Sequence, residues 1–554
     1  MPTSLLITTG MKVYCGSMRF FLLISQVIFL AVSLHAQPLD LILTNGRVVD
    51  GMGNSWYRAD IGIRGGRIAA IGSLAAHQAG RTIDVKGQVI APGFIDMMGA
   101  SSFPVLADPA SGQSKLRQGI TTIFAGEGGS EAPRGDEAPR NGFQWRTFAE
   151  YFALLEKKGI PLNVVHNVGA AQIRRLVIGV EDRAPTAAEL DRMRQLVDQA
   201  MRDGAVGLST ALIYPPGTYA RTAELVAMAE VVSRYGGIYS THMRNESGKL
   251  LEAIAESMEI GAKARVPVHI YHLKAAGQEN WHLMAQAIAK IQQARDQGQD
   301  VTADIYPYIR NGLGISALVH PRHFASGEHV FLPKLADASV RAEIRKEIET
   351  TSDWENWYRH VGSDWDNILV AQAGGKNIEG KSVAAIAKMR GQDAWTVFFD
   401  LVQEGGVSVN PKSMNEEQKF LALRTPFVSI CTDAPPLNIQ TATGAHPRAF
   451  GSFPRVLAQY VRQDHVIGLE EAIRKMTSLA ANRLGLYDRG RIAPGMAADL
   501  VVFDPDTIQD KASFTHPLAF PEGISHVLVN GSLAVENGRG TTALPGRVLR
   551  HTRQ

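Results

Sequence analysis

The sequence predicts an α/β fold: a (β/α)8 barrel of the TIM type, joined to a small β-sandwich domain built from both chain ends. The main observation is a series of short apolar runs, bounded by Gly or Pro, through the middle of the chain. Strands buried on both faces have this pattern, and amphipathic helices lie between several of the runs. A doubly wound open sheet is the structural alternative. The runs are Val89–Met98, Thr121–Gly126, Leu162–Gly169, Ala205–Thr210, Gly237–Met243, Val266–Leu273, Asp300–Tyr308 and Phe427–Asp433.

Local signals place several helices between these runs. Thr186 and Glu189 form a capping box, which opens a helix with one apolar face. Further helices are expected over Ser247–Lys263 and Leu469–Leu484. Strands that alternate with helices favour the barrel, in which the carboxyl ends of the strands carry the chemistry.

The domain organisation follows from where this pattern changes. Short alternating strands with Gly-containing turns occur at both ends of the chain, so residues 38–90 and 487–545 are predicted to form one small β domain. Residues 91–486 form the barrel. Its stretch of about 310–425 is too long for a loop and contains helical segments, Ser339–Glu349 and Ser382–Gln403. We therefore expect an inserted subdomain between strands 7 and 8.

Composition and charge exclude several classes of protein. The 554 residues are 45% hydrophobic and 20% charged, which allows a large core. The net charge of +3 argues against nucleic acid as the main partner. Cys15 and Cys431 are the two cysteines of the sequence, which rules out a disulfide framework and a multi-cysteine zinc site.

The N-terminus has the features of an export signal. Arg19 precedes an apolar stretch, Phe20–Leu34, and Ala36 supplies a small residue for cleavage. A membrane anchor is the alternative, but the stretch is shorter than the about 20 apolar residues of a span. Residues 1–36 are thus predicted to be a signal peptide, and the mature protein is expected to be periplasmic or secreted, without a membrane span.

Polar residues gather at the carboxyl ends of three predicted strands. His242, His272 and Asp433 each finish a buried run, so they converge at the barrel mouth. Two neutral imidazoles beside a carboxylate are a common start of a zinc site, with the carboxylate as ligand or base.

Three further residues near these strand ends indicate which chemical group of the substrate the protein recognises. Lys274 follows His272 by two residues, Tyr306 ends the seventh run, and Arg448 lies just beyond the eighth. Two cations and a phenol beside a metal favour recognition of a substrate carboxylate. The predicted partner is therefore a small molecule that bears a carboxylate.

A series of sequence blocks, in order from Leu41 to Gly538, resembles the amidohydrolase superfamily, specifically its N-acyl-D-amino-acid deacylase (D-aminoacylase) branch. The resemblance implies hydrolysis of a linear amide at a binuclear metal site. In that site, the half that binds its metal more tightly uses a cysteine and two histidines. The two histidines align with His242 and His272. The blocks are Asn45–Gly51, Ala91–Asp96, Gly119–Thr122, Gly204–Thr210, Tyr214–Gly217, Thr241–Glu246, Tyr306–Tyr308, His446–Arg448 and Arg489–Gly495.

The chain departs from the family pattern at the metal site itself. The His-x-His pair of the first strand is replaced by Met98-Gly99-Ala100, and the Gly-Asn-Cys-Gly stretch after the second strand is Gly126-Glu127-Gly128-Gly129. Ala170 stands where the family has a further histidine, and Gly312 stands where it has a serine. The loss of the pair should abolish the second metal, while Glu127 can supply the third ligand of the tighter site. We expect one divalent metal ion, zinc.

Two hypotheses of different classes follow. In the first, the protein is an exported metal-dependent amidohydrolase that cleaves the C–N amide bond of an N-acylated amino acid or dipeptide-like substrate. Metal-activated water attacks the amide, with Asp433 as general base. In the second, the barrel is metal-free and non-catalytic, with a ligand-binding role. A different reaction on the same scaffold, such as hydrolysis of a cyclic amide or lactone, is the third possibility.

Overall fold

The computed structural model describes residues 38–351 and 353–551, so the predicted signal peptide, 1–36, lies outside the described residues. Eight parallel strands form one sheet in which spatial neighbours follow the chain order. A doubly wound sheet would reverse its order at a switch point, so the structure confirms the predicted (β/α)8 barrel. In order, barrel strands 1 to 8 are Phe94–Asp96, Ile120–Ala125, Asn163–Gly169, Gly207–Ala211, Ile238–His242, Val268–Ile270, Val301–Ile305 and Val428–Ile430.

Side chains join barrel strands 1 and 8, between which the described residues form no backbone ladder. The Asp96 carboxylate accepts hydrogen bonds from the Thr432 backbone N–H at 2.8 Å and from the Thr432 hydroxyl at 2.6 Å. The ammonium of Lys115 lies 2.9 Å from Asp96 and donates to the Ala434 carbonyl at 2.7 Å. All of these groups are buried, and they fix the loop after strand 8 against strand 1.

Helices surround the barrel and follow the local signals. The capping box forms, with the Thr186 hydroxyl accepting from the Glu189 backbone N–H at 3.3 Å at the start of its helix. The predicted helix over Leu469–Leu484 is divided at Thr477. Helices in the barrel part are Phe103–Ala107, Gln113–Leu116, Phe148–Lys158, Ala170–Val177, Ala187–Asp203, Thr222–Ser233, Leu250–Ala264, Leu283–Asp296, Glu416–Arg424, Arg448–Arg455, the π-helix Val456–Gln463, Leu469–Met476 and Ser478–Arg483.

Both ends of the chain contribute to a nine-stranded sheet that surrounds one apolar core. Val89–Pro92 joins the two contributions, because it pairs in parallel with Arg47 and Val48 and antiparallel with Leu500–Phe503. The domain limits of 38–90, 91–486 and 487–545 stay predictions. The strands are Leu39–Val48, Tyr57–Arg64, Arg67–Gly72, Ala79–Asp84, Val89–Pro92, Leu500–Phe503, Ile524–Val529, Ser532–Glu536 and Arg539–Gly540.

An inserted unit lies between barrel strands 7 and 8 and has its own apolar core. Indole and phenyl rings of Trp365, Trp395 and Phe398 pack together in it, with centroids 5.0–5.8 Å apart. Within the described residues, no helix is both long and apolar enough to cross a membrane. The unit contains strands Leu313–Gly314, Ile368–Gln372 and Ser408–Pro411, and helices Glu328–Phe331, Ala338–Thr350, Trp357–His360, Val383–Arg390 and Ala394–Glu404.

Candidate metal centre

Three of the predicted site residues meet at the barrel mouth. His242 Nδ1 lies 2.8 Å from Glu127 Oε1 and 3.1 Å from His272 Nε2. The third distance, from His272 Nε2 to Glu127 Oε1, is 3.5 Å. Both histidines are buried, and the Glu127 side chain is 21% exposed. In the described part of the chain, this is the one group of three or more His, Cys, Asp or Glu residues arranged to hold a metal ion.

The donor atoms fit a tetrahedral ion. Zinc bonds to imidazole nitrogen and carboxylate oxygen at about 2.0–2.1 Å, which places neighbouring ligands of a tetrahedron about 3.3 Å apart. The edges of the observed triangle, 2.8, 3.1 and 3.5 Å, lie on both sides of that value. The three donors leave the fourth position of a tetrahedron for water or substrate, as in catalytic rather than structural zinc sites.

A glycine-rich turn after barrel strand 2 directs Glu127 towards the histidines. The backbone N–H of Gly128 donates to the Ser209 hydroxyl at 3.0 Å, and Gly128 has a left-handed φ of 63°. A Cβ atom at residue 128 would lie 2.6 Å from the backbone nitrogen of Ala211. The turn therefore has no room for a cysteine at the aligned position, and the carboxylate of residue 127 occupies the site.

His272 lies beyond the end of its strand. Barrel strand 6 ends at Ile270, earlier than the predicted run, and His272 adopts a left-handed φ of 36°. Its backbone N–H donates to Asp304 Oδ1 at 2.7 Å, and the other oxygen of Asp304 lies 2.8 Å from His269 Nε2. Such backbone strain persists only where neighbours hold it, and Asp304 provides that restraint here.

Glu246, to which the sequence analysis assigned no role, orients the His272 imidazole. Glu246 Oε1 lies 2.8 Å from His272 Nδ1, and Oε2 lies 3.5 Å from His242 Nε2. When His272 donates its Nδ1–H to this carboxylate, the Nε2 lone pair is free for a metal. The position of Glu246 four residues after His242 was the available signal, but the contact with His272 depends on the fold.

Lys274 completes this layer of charges. Its ammonium lies 2.6 Å from Glu246 Oε1 and 2.7 Å from His272 Nδ1. Burial opposes ionisation of Glu127, but the two imidazoles outweigh it and hold the pKa of that carboxyl below its usual range. Burial and Lys274 lower the pKa of His272, whereas Glu246, Asp433 and Glu127 raise it to a net value of about 10. The excess negative charge beside the histidines suits a divalent cation.

Asp433 and Arg448 pair at the barrel mouth, after barrel strand 8. Arg448 Nη1 donates to Asp433 Oδ2, and Asp433 has a left-handed φ of 50°. Burial raises the pKa of Asp433, and Arg448 and His272 limit the rise. A Cβ atom at Gly312, where the family pattern has serine, would lie 2.9 Å from Arg448 Nη2. Glycine at this position gives the guanidinium its space.

Tyr306 lies against the same guanidinium. The Arg448 Cζ atom is 4.9 Å from the centre of the Tyr306 ring. Arg448 Nε and the Tyr306 hydroxyl are both buried, and neither has a hydrogen-bond partner among the described residues. Unpaired buried donors are costly, so these two atoms are available to an incoming acceptor.

Comparison with known proteins decides the family. The amidohydrolase family matches residues 81–535. The chain belongs to this amidohydrolase family. It is 35% identical to the N-acyl-D-glutamate deacylase of Alcaligenes xylosoxydans xylosoxydans over 523 residues, 93% of this chain and 97% of that protein.

Solved amidohydrolase structures agree with this assignment. The N-acyl-D-glutamate deacylase of Bordetella bronchiseptica, complexed with zinc and a phosphonate mimic of the tetrahedral intermediate, is 32% identical with a TM-score of 0.77. A D-aminoacylase structure concerned with one-metal activation and second-metal attenuation of a binuclear centre is also 32% identical, with a TM-score of 0.78. Each match covers 93% of this chain and 100% of the other. The predicted D-aminoacylase branch is confirmed, and the relatives' deacylase activity agrees with the predicted class of linear-amide hydrolase.

Among the described residues of this amidohydrolase, three positions at which the family has histidines carry no nitrogen or oxygen donor in their side chains. Met98 is buried among apolar side chains, and Ala100 has no donor atom beyond its backbone. Ala170, at the family histidine position, begins a helix and is buried. The residues therefore fit a metal on the side of Glu127, His242 and His272.

Proposed function

We propose that this amidohydrolase is a metal-dependent deacylase that cleaves the amide of an N-acylated amino acid or dipeptide-like substrate. The observation that carries the proposal is the triangle of donors formed by Glu127, His242 and His272. The similarity to N-acyl-D-amino-acid deacylases supports the linear amide and the D configuration.

The reaction needs an activated water and a proton carrier. A divalent ion held by the three donors supplies Lewis acidity, which activates water and polarises the amide carbonyl. Asp433 accepts the proton of that water on its carboxylate and passes it to the leaving amine. Arg448 counteracts the burial that raises the pKa of Asp433 and so favours the ionised form of the base.

The substrate carboxylate is bound near Asp433 in this proposal. Arg448 Nε and the Tyr306 hydroxyl supply free buried donors, and Lys274 adds positive charge from the neighbouring strand end. A charge-assisted bond to guanidinium is stronger than a neutral one. The leaving amine and its α-carboxylate then lie on the same side as the proton donor.

The proposed metal content is a single zinc ion. Two imidazoles and one carboxylate are a common zinc ligand set. Met98 and Ala100 provide no side-chain nitrogen or oxygen for a second ion. The relative described by one-metal activation and second-metal attenuation supports activity with one ion.

We also propose that the protein is exported, on the strength of residues 1–36 alone. Cell fractionation of the full chain, with mass spectrometry of the mature N-terminus, tests this. Cleavage near Ala36 with the product outside the cytoplasm is expected, and an intact N-terminus in the cytoplasm would contradict it.

The deciding experiment is a substrate screen with a metal analysis. Purified protein, stripped with a chelator and reloaded with zinc, is assayed on N-acyl-D-amino acids, their L-enantiomers and dipeptides. We expect release of the free amino acid, with about one zinc per chain. Protein that binds no metal and hydrolyses nothing would instead support a non-catalytic binding barrel.

A further inference from the structure

A cavity of about 870 Å³ lies on one side of the barrel mouth. Its walls are the loops after barrel strands 4 and 5 and the inserted unit between strands 7 and 8. Tyr214 lines the cavity, and its ring centre lies 5.7 Å from that of His242. One wall residue of the cavity thus contacts a proposed metal ligand, and the cavity is far larger than an acetyl group requires.

Glu355, from the inserted unit, is an unexplained group in this wall. Its side chain lines the cavity, yet the residue is only 6% exposed. One carboxylate oxygen accepts a hydrogen bond from the Glu246 backbone N–H. The other, Oε2, is buried with no partner among the described residues. A buried carboxyl oxygen without a partner carries a desolvation cost that a ligand with a donor would relieve.

Two arginines of the wall are already paired with carboxylates. Arg244 pairs with Glu256 at 2.9 Å, and Arg221 lies 3.6 Å from Asp182. Burial and the adjacent Glu246 carboxylate raise the pKa of Glu355 to about 8, although Lys274 and His272 oppose the rise. Among the described residues, no cation forms a direct ion pair with the Glu355 carboxylate. A cationic group on a ligand would supply the missing counter-charge.

The position of the base indicates which end of the substrate enters the cavity. Asp433 gives its proton to the leaving amine, so the amino-acid half of the substrate lies towards Asp433 and Arg448, after strand 8. Strands 4 and 8 lie on opposite sides of an eight-stranded barrel. The acyl half therefore points towards the loops after strands 4 and 5, where the cavity and Glu355 lie.

We propose that the cavity receives the acyl half of the substrate and that Glu355 binds a free ammonium group on it. The preferred substrates are then aminoacyl amino acids, that is dipeptides, rather than simple N-acyl amino acids. This inference rests on the proposed deacylase function and specifies its substrate class.

The test compares two substrates that differ by one group. The N-acetyl and N-glycyl derivatives of the same D-amino acid differ by an ammonium group on the carbon next to the acyl carbonyl. Wild-type enzyme should have the higher kcat/KM for the glycyl derivative. Glu355→Gln should lower kcat/KM by about 10–100-fold for the glycyl derivative, the range of a hydrogen bond to a charged group, and by less than about threefold for the acetyl derivative.

Glu252→Gln is the matched control, since it removes an exposed carboxylate from the same cavity wall. It should change both values by less than about twofold, because water screens an exposed charge. Equal losses of the two substrates in Glu355→Gln would overturn the inference, as would a wild-type preference for the acetyl derivative. N-acetyl-D-lysine, which carries its ammonium on the amino-acid side chain, serves as a third substrate. A loss of kcat/KM confined to this substrate in Glu355→Gln would place Glu355 beside the amino-acid side chain and would also overturn the inference.

A binding measurement separates this inference from the proposed function. Calorimetry on zinc-loaded Asp433→Asn protein compares the affinities of the glycyl and acetyl derivatives without turnover. Tighter binding of the glycyl derivative supports the inference even if Glu355→Gln does not fold. If neither series is hydrolysed by the wild type, the proposed function fails. Equal affinities in the calorimetry would then overturn the role of Glu355 as well.

Discussion

Replacing Glu127 by alanine removes the carboxylate from the three-donor triangle and leaves His242 and His272. The substitution is mild for the fold, because Glu127 is a partly exposed loop residue whose turn is held by backbone contacts of Gly128. It is severe for the metal, because the two remaining donors are both imidazole nitrogens and the negative charge of the carboxylate is lost.

The magnitude follows from the number of ligands. Four-ligand zinc sites bind their ion with about 10–16 kcal/mol, or about 3 kcal/mol per ligand. Since about 1.4 kcal/mol corresponds to a tenfold change, losing one ligand should weaken zinc binding by about 100-fold. Water can take the vacated position and recover part of this. A tenfold loss is the floor, because losing even a residue that only hydrogen-bonds to a ligand costs about 10–100-fold in metal affinity.

Competition with a chelator of known zinc affinity measures this change, and elemental analysis gives the stoichiometry. Glu131→Gln is the control: it removes another carboxylate from the same loop, one that pairs with Arg140 at 3.0 Å and lies outside the triangle. Its zinc affinity should stay within about twofold of the wild type.

Unchanged zinc affinity in Glu127→Ala would remove Glu127 from the metal site and return it to the role of a loop carboxylate. Two tightly held ions in the wild type would refute the one-metal reasoning altogether. An equal loss in Glu131→Gln would show that the loop, rather than the ligand, had been damaged.

Four further changes probe the site. Asp433→Asn should lower turnover by about 10²-fold or more with zinc retained, which steady-state kinetics and elemental analysis check; a near-normal rate would exclude it as the base. Arg448→Ala should raise KM strongly for free acids and little for their amides. Since Arg448 also opposes the burial that raises the pKa of Asp433, the acidic limb of the pH–rate profile should move to higher pH; equal KM losses on acids and amides would contradict carboxylate binding. Glu246→Gln should weaken zinc binding about 10–100-fold by releasing the His272 imidazole, and unchanged affinity in the chelator assay would refute that role. Burial and Lys274 lower the pKa of Lys419 to about 7 in the folded protein, so unfolding takes up a proton above pH 7. The free energy of unfolding therefore rises with pH there, by at most about 1.4 kcal/mol per pH unit. Thermal unfolding from pH 6 to 9 should show a smaller rise in Lys419→Met than in the wild type, and the same pH dependence in both proteins would refute this role of Lys419.

The barrel could be predicted because its strands are continuous apolar runs, but their limits depended on contacts. The run Val89–Met98 divides at Gly93 into a strand of the small sheet and barrel strand 1. Gly93 donates its N–H to Asp499, far away in sequence, so hydrophobicity could not locate the break. The stretch Ser382–Gln403 is two helices, because Gly391 ends the first in a left-handed conformation and Asp393 caps the second.

The sequence likewise predicted some residues of the site and missed others. Histidines at strand ends could be found because the ends of parallel strands meet in a barrel. Glu127 followed from the resemblance, although the crowding of residue 128 against Ala211 that selects it is visible only in three dimensions. Glu246 and Glu355 went unassigned, since 109 positions separate them and their contact exists only once the inserted unit packs on the mouth.

The junction between barrel strands 1 and 8 gives the first strand a second purpose. Asp96 holds Thr432, the residue immediately before the proposed base, through two hydrogen bonds. Met98 lies only two positions further along, yet it takes no part in that junction through its side chain. Residues 98 and 100 can therefore lack metal-binding side chains while residue 96 keeps its role. Positioning the proposed base and binding an ion depend on different residues of this short strand.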